Sequence, residues 1–263
     1  MTRRLITLTT DFGLSDHFVG VMKGVIAGIA PATQVIDLSH GVRPYDIVDG
    51  AFTIAQAYRY FPKKTIHVIV VDPGVGSERR PLLAEMAGQY FIAPDNGVLS
   101  MVLSREEPAR VRHITAEKYF LHPVSRTFHG RDVFSPSAAH LASGVKPAQF
   151  GRRIEDYVRV SFDKPARAGK HCWTGSILKA DHFGNLATNF HIDQFPGIHT
   201  RAFALKAGTQ VIARLALTFS ECAPGELFAL VGSSGYLELA VSQGSAAETL
   251  GCGPGSPVEL TIY

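Results

Sequence analysis

The stretch Thr65-Ile-His-Val-Ile-Val-Val71, running into Asp72-Pro-Gly-Val-Gly76, decides the fold class. Its nearly continuous β-branched and apolar character reads as a strand buried on both faces, the habit of a parallel sheet. It stops at an Asp-Pro pair and two glycines, which reads as a loop. Pro73 and Pro81 oppose an immediate long helix, so Asp72 fits no simple helix cap. Ligands of open α/β sheets bind outside the carboxyl ends of strands, and an acid placed there is a candidate site residue.

The pattern repeats outward from this strand. Leu5 to Thr10 alternates apolar residues with Thr and reads as a strand ending in the loop Asp11-Phe-Gly-Leu-Ser-Asp16. A helix is expected from about Asp16 to Ile29, because Phe18, Val21, Met22, Val25, Ile26 and Ile29 recur on one face. Ser15 or Asp16 is its expected cap, and Pro31 stops it. Gln34 to Leu38 reads as a strand, 39–45 as a loop, and 46–60 as a second amphipathic helix ended by Pro62. Strands are expected near 81–86 and 89–93, followed by the tight turn Pro94-Asp-Asn-Gly97. Ser135 reads as a helix cap with Pro136 at the first helical position.

This alternation predicts an α/β N-terminal domain over 1–160 with a mostly parallel sheet. Residues 161–171, rich in Asp, Lys, Pro, Arg and Gly, read as a linker. Over 172–263 the pattern changes to short strand candidates at 174–180, 186–190, 201–206, 210–214, 227–231, 236–241 and 257–262. Gly- and Pro-containing turns separate them and no long helix is evident, so a small antiparallel all-β barrel or sandwich is expected.

Composition narrows the function classes. Of 263 residues, 46% are apolar and 19% charged, which suits a chain that buries a core. The net charge of +3 is small, and basic residues cluster no further than pairs such as Arg79-Arg80, so no nucleic-acid footprint is expected. Three cysteines at long spacings give neither a disulfide framework nor a CxxC metal pattern. No apolar run approaches the ~20 residues needed to span a bilayer. No secretory leader is read before Asp11, and a cytoplasmic protein is expected.

Polar clusters at the strand ends carry the candidate chemistry: Asp11 with Asp16, Asp72 with Arg79, and Asp95 with Asn96. Gly74-Val-Gly76 is not a phosphate loop, since no Lys-Ser/Thr follows it and there is no GxGxxG. His129, in Phe128-His-Gly-Arg-Asp132, is the best general-base candidate of eleven histidines. In the second domain, Asp181-His-Phe-Gly-Asn-Leu-Ala-Thr-Asn189 offers partners for a heterocycle or an amine, and Gly232-Ser-Ser-Gly-Tyr-Leu-Glu238 is a turn entering a strand. The residues by themselves imply a two-domain enzyme with an acid–base site for a small molecule.

Six motifs in order are similar to one family: Thr10-Asp-Phe-Gly, Val71-Asp-Pro-Gly-Val-Gly-Ser-Glu-Arg79, Ala93-Pro-Asp-Asn-Gly97, Thr127-Phe-His-Gly-Arg-Asp132, Asp181-His-Phe-Gly-Asn185 and Gly235-Tyr-Leu-Glu-Leu-Ala240. The chain resembles the S-adenosylmethionine hydroxide adenosyltransferases, or S-adenosylmethionine hydrolases, relatives of fluorinase and chlorinase. The resemblance implies an α/β/α N-terminal domain, a β-barrel C-terminal domain, and a homotrimer with its active site between subunits. It implies that water attacks C5′ of the ribose and yields adenosine and methionine, and it leaves open a selectivity for the (R)-sulfonium epimer. The catalytic set falls on Asp72, Arg79 and His129, with no cofactor and no metal. Asp11 is implied at the ribose hydroxyls, Tyr45 stacking on sugar or adenine, and Asp16 on the methionine side. Asp181 is implied at the methionine ammonium, Asn185 at an adenine edge and Ser233 at the methionine carboxylate. Glu238 and Val241 complete the substrate-binding set. Ser234 and Val241 stand where the fluorinase has arginines. An anionic Asp72 beside Val75 suits a water and repels a halide, which argues against halogenation. Two other classes remain: a metallohydrolase using Asp11, Asp16, Asp72 and His129, and a non-catalytic binding module for adenosine or S-adenosylmethionine.

Overall fold

A computed structural model describes residues 4–162 and 164–263. The chain divides into two compact units, Met1–Val160 and Ser161–Tyr263.

The first unit opens with β1 (Leu5–Thr10), α1 (Phe18–Ile29), β2 (Gln34–Ser39), α2 (Ile47–Ala57) and β3 (Ile66–Val70). Then come β4 (Pro81–Met86), β5 (Gln89–Pro94), α3 (Ser100–Leu103), β6 (Arg110–His113) and α4 (Ser135–Ala142). The sheet order is β2-β1-β3-β5-β4-β6. The pairings of β1 with β2, β1 with β3, and β3 with β5 are parallel. The two pairings of β4, with β5 and with β6, are antiparallel, so the sheet is mixed. β3 is buried at every position, as its unbroken apolar run requires.

One core joins Ile6 and Leu8 of β1, Val68 of β3 and Ile92 of β5 to Met22 and Ile26 of α1 and Leu141 of α4. Strand alternation turns the neighbours of these residues to the opposite face. There the buried His67 lies beside Phe91, and Phe91 meets Tyr58, which follows α2. Asp46 caps α2 by accepting from Asp49 N at 2.9 Å.

Two helix starts differ from the sequence expectation. α1 begins at Phe18 with His17 as cap residue and no side-chain capping bond, so neither Ser15 nor Asp16 caps it. Gly13 N donates to His40 O at 2.9 Å, which ties this loop to the turn after β2 rather than to the helix. Ser135 is not a cap either. A π-helical turn over Gly130–Phe134 runs straight into α4, so the preceding turn already occupies the capping position.

The second unit holds β7 (Ala166–Arg167), β8 (Cys172–Ala180), β9 (Leu186–His191), β10 (Phe203–Ala207) and β11 (Gln210–Ile212). They are followed by β12 (Leu215–Ala216), β13 (Leu227–Val231), β14 (Tyr236–Val241), the short α5 (Ala246–Leu250) and β15 (Pro257–Ile262). The order β11-β10-β15-β8-β9-β14-β13-β12, with β7 beside β8, is a curled sheet around Leu186, Phe190, Leu239 and Leu260. β12 pairs parallel with β13, so the sheet is not wholly antiparallel. β7 lies within the stretch expected to be a linker.

Candidate active site

The carboxyl ends of β1, β2 and β3 place three loops around one pocket of about 350 Å³ in the first unit. Asp11, Tyr45, Asp72, Val75 and His129 line it, so residues 118 positions apart in sequence (129 − 11) meet there.

Asp72 follows β3 directly. Asn96 Nδ2 donates to Val71 O at 2.9 Å and holds that strand end. The loop then turns tightly, with Val75 N bonded to Asp72 O at 3.2 Å and Ser77 N to Gly74 O at 3.1 Å. Gly76 has φ +78°, and a side chain there would run into the carbonyl oxygen of Arg126. This turn returns Arg79 to Asp72. Arg79 Nε donates to Asp72 Oδ1 at 3.0 Å and Nη2 donates to Oδ2, a two-pronged pair with both side chains nearly buried. Arg79 Nη2 also donates to His129 Nδ1 at 2.6 Å. The guanidinium carbon lies 5.3 Å from the centre of the Phe134 ring, and Nη1 is buried without a protein partner.

His129 immediately precedes the π-helical turn. Asp132, fully buried, accepts from Ser125 N at 2.8 Å and from both prongs of Arg131. These bonds brace the loop that leads into His129. Burial first, and the adjacent Arg79 cation second, hold the His129 imidazolium below the usual histidine range.

Asp11 faces the same pocket. Desolvation pushes its carboxyl up, with nearby Asp72 adding to the rise, while Tyr45 N donates to Oδ2 at 2.8 Å and works against it. Tyr45 is 75% exposed and holds φ 65°, a conformation uncommon for a non-glycine residue. Strain of this kind is concentrated at functional sites. Asp16 is exposed and does not line the pocket.

The second unit gathers part of its expected set. Asn185 and Val241 line a pocket of about 490 Å³ with Phe183, Phe219, Gln243 and Ser245. Asp181 is exposed and accepts from Phe183 N at 2.9 Å, Asn185 N at 2.8 Å and Asn185 Nδ2 at 2.9 Å. Those bonds make it the organiser of the turn that presents Asn185. Glu238 lies close enough to Asp181 to feel its charge; desolvation first and Asp181 second push its carboxyl up. Ser233 is exposed on the turn between β13 and β14.

Sequence reasoning missed several lining residues. Phe12 and Phe18 flank Asp11, with Phe12 and Phe18 each packed against Phe128. Phe183 is 73% exposed and Phe219 46% exposed beside the second pocket. Their signal was a large apolar residue inside a polar turn, which a strand pattern alone reads as a neutral feature. Among the described residues, no group of three or more His, Cys, Asp or Glu side chains is placed to hold a metal ion. The candidate ligand set of Asp11, Asp16, Asp72 and His129 is therefore not gathered as one. Among the described residues no helix is long and apolar enough to cross a membrane.

Comparison with known proteins bears on this geometry. The N-terminal domain model of the SAM hydroxide adenosyltransferases matches residues 6–151, and the C-terminal domain model matches 175–259. The (R)-S-adenosyl-L-methionine hydrolase of Salinispora tropica is 38% identical, over 97% of each chain. That of Thermus thermophilus is 36% identical over 98% of this chain and 99% of the relative. A fluorinase of Nocardia brasiliensis is 26% identical over 99% of this chain and 97% of its own. A solved structure of an uncharacterised conserved protein from Thermotoga maritima superposes with TM-score 0.90 at 34% identity, covering 97% of this chain and 99% of that one.

Proposed function

The chain belongs to the SAM hydroxide adenosyltransferase family, and on that premise we propose that it hydrolyses S-adenosyl-L-methionine to adenosine and L-methionine. The observation that carries the reading is the Asp72–Arg79–His129 contact at the pocket wall.

The chemistry follows from these groups. A water oxygen bonds to ribose C5′ as the C5′–S bond breaks, and the bonding pair leaves on sulfur. The sulfonium departs as a neutral thioether, so no acid is needed for the leaving group. One proton must leave the water. A guanidinium only donates hydrogen bonds, so His129 Nδ1 accepts from Arg79 and the neutral ring carries its proton on Nε2. That tautomer, assigned from its partner, leaves His129 no lone pair for the water proton. Asp72 keeps a second lone pair on each oxygen beyond those engaged by Arg79, and it is the acceptor. Asp72 points the water, Arg79 aims Asp72, and His129 fixes Arg79. Positioning of this kind supplies roughly 7–11 kcal/mol in the best cases. The apolar Val75 and the anionic Asp72 favour water over a halide at this wall.

In the same reading Asp11 takes the ribose hydroxyls and Tyr45 stacks on the nucleoside. Asn185 and Val241 meet the adenine, with Phe183 and Phe219 as flanking rings, because both rings line the pocket that holds Asn185. Asp181, Glu238, Ser233 and Asp16 serve the methionine end; two carboxylates near each other suit an ammonium. The N-terminal unit is taken as an α/β/α catalytic domain over 1–160, 161–171 as linker, and 172–263 as a barrel-like substrate-binding domain. The protein is placed in the cytoplasm as a homotrimer that shares each active site between copies. A preference for the (R)-sulfonium epimer is proposed from the names of the hydrolase relatives.

The test is direct. The native protein should release adenosine and methionine in equal amounts, unaffected by EDTA, and faster from the (R) than from the (S) epimer. Asp72→Ala should bind adenosine and turn nothing over. Full turnover by that variant would sink the mechanism.

A further inference from the structure

Two turns at the strand ends meet around a buried histidine that the proposed chemistry does not use. His40 is 6% exposed. Its Nδ1 lies 2.8 Å from Thr10 Oγ1, and Thr10 Oγ1 accepts from Phe12 N at 3.2 Å. Its Nε2 lies 3.0 Å from Asp37 Oδ1, a close polar contact outside ideal hydrogen-bond alignment. Asp37 Oδ2 takes Lys23 Nζ at 2.6 Å. The backbone closes the same knot, with Gly13 N donating to His40 O at 2.9 Å and Val42 N to Thr10 O at 3.4 Å. Asp11 sits between Thr10 and Phe12, and Tyr45 N of the second turn donates to its Oδ2 at 2.8 Å.

We propose that the Lys23–Asp37–His40–Thr10 chain is a positioning device for Asp11 and Tyr45. It governs recognition of the ribose diol rather than attack at C5′, and it rests on the reading in which Asp11 binds those hydroxyls. A carboxylate that must meet two adjacent hydroxyls needs a fixed direction, and misplacement by about 1 Å can cost about 100-fold. The chain supplies direction. Asp37 is acceptor-only when ionised, which sets the His40 proton on Nε2 and leaves Nδ1 to accept the Thr10 hydroxyl. The Thr10 oxygen then has a lone pair for Phe12 N, one residue beyond Asp11. An apolar side chain of the same size would fill the space without fixing that order. Both Thr10 and His40 are buried, so water does not replace a lost link cheaply.

The test compares adenosine with 2′-deoxyadenosine, which lacks one of the two hydroxyls. Thr10→Val removes the link at constant shape, Thr10→Ser keeps it, and His40→Phe removes the imidazole. Calorimetric Kd values for both nucleosides, thermal midpoints, and kcat and KM for S-adenosylmethionine are measured on the full chain. Thr10→Val and His40→Phe should weaken adenosine about tenfold while leaving 2′-deoxyadenosine within about twofold. KM should rise with kcat held within about threefold, and Thr10→Ser should behave as the native chain. If His40→Phe does not fold, the Thr10 pair alone decides. Equal weakening of both nucleosides in Thr10→Val, or none, overturns the proposal when the native protein discriminates between them. A native protein that holds both nucleosides equally overturns the diol reading of Asp11, and the role of the chain with it.

Discussion

Arg79 Nη2 lies 2.6 Å from His129 Nδ1, a contact between residues 50 positions apart that assigns the proton of the imidazole. The same nitrogen also donates to Asp72. One guanidinium therefore fixes Asp72 and His129 together, and three consequences of this site, with one of the buried sheet, are open to measurement.

Protonation of His129 would put a hydrogen on Nδ1, against the Arg79 donor. Desolvation and the Arg79 charge both oppose that, so His129 stays neutral below the ordinary histidine value of about 6.5. The rate should hold as pH falls through about 6.5 and drop only further on the acid side. Replacing Arg79 with Gln, which removes the charge, should move this acid limb upward. A kcat/KM profile against pH measures both effects; an acid limb at or above 6.5 in the native protein contradicts the assignment.

Arg79→Lys keeps the charge and loses the fork. A lysine cannot donate to both Asp72 oxygens and to His129 from one plane. The expected result is a fall in kcat of about 10²–10³-fold with adenosine affinity little changed. Arg79→Ala should also unfold more readily, by roughly 3–5 kcal/mol, because it strands a nearly buried Asp72. Steady-state kinetics and urea midpoints on the two variants separate these effects.

Gly76→Ala places a side chain at φ +78° against the Arg126 carbonyl. The neighbouring segment leads into His129, so relief of that clash moves one wall of the pocket against the other. A stability loss of about 1–3 kcal/mol is expected. Turnover should fall at least about tenfold. Native kcat in a folded Gly76→Ala would show that the two loops need not touch.

His67 is fully buried in β3, 2.7 Å from Thr7 Oγ1, and desolvation lowers its pKa to about 4. A histidine kept neutral in the fold stabilises it at high pH and loses that contribution as pH falls from about 6.5 toward about 4. Between pH 7.5 and pH 5 the native chain should lose about 2 kcal/mol more than His67→Phe. Denaturant midpoints at the two pH values check the difference, and parallel losses would refute it.

Much of the first unit was legible because local rules and tertiary packing agree there. The unbroken apolar run of β3 has no other comfortable place than the middle of a sheet, and β3 sits between β1 and β5. The α1 face was legible from its period, and Met22 and Ile26 fill the core it predicted. The antiparallel turn of β4 between β5 and β6 was not, since strand direction depends on partners and not on the strand's own residues. The π-helical turn at Gly130–Phe134 was invisible for a similar reason. Asp132 is held there by Ser125 N and Arg131, and its burial comes from the assembled fold.

The sequence by itself determined the strand ends, the residue types at them and, through six ordered motifs, the family. It placed Asp11, Asp72 and His129 on separate loops without a reason for them to meet. Only the tertiary structure brought Arg79 into hydrogen-bond contact with both Asp72 and His129. It also turned His40 from an unremarked loop residue into a buried link between Asp37 and Thr10. The physical reason is common to both cases. Side-chain chemistry is written residue by residue, but a hydrogen bond's direction exists only once the fold sets both ends.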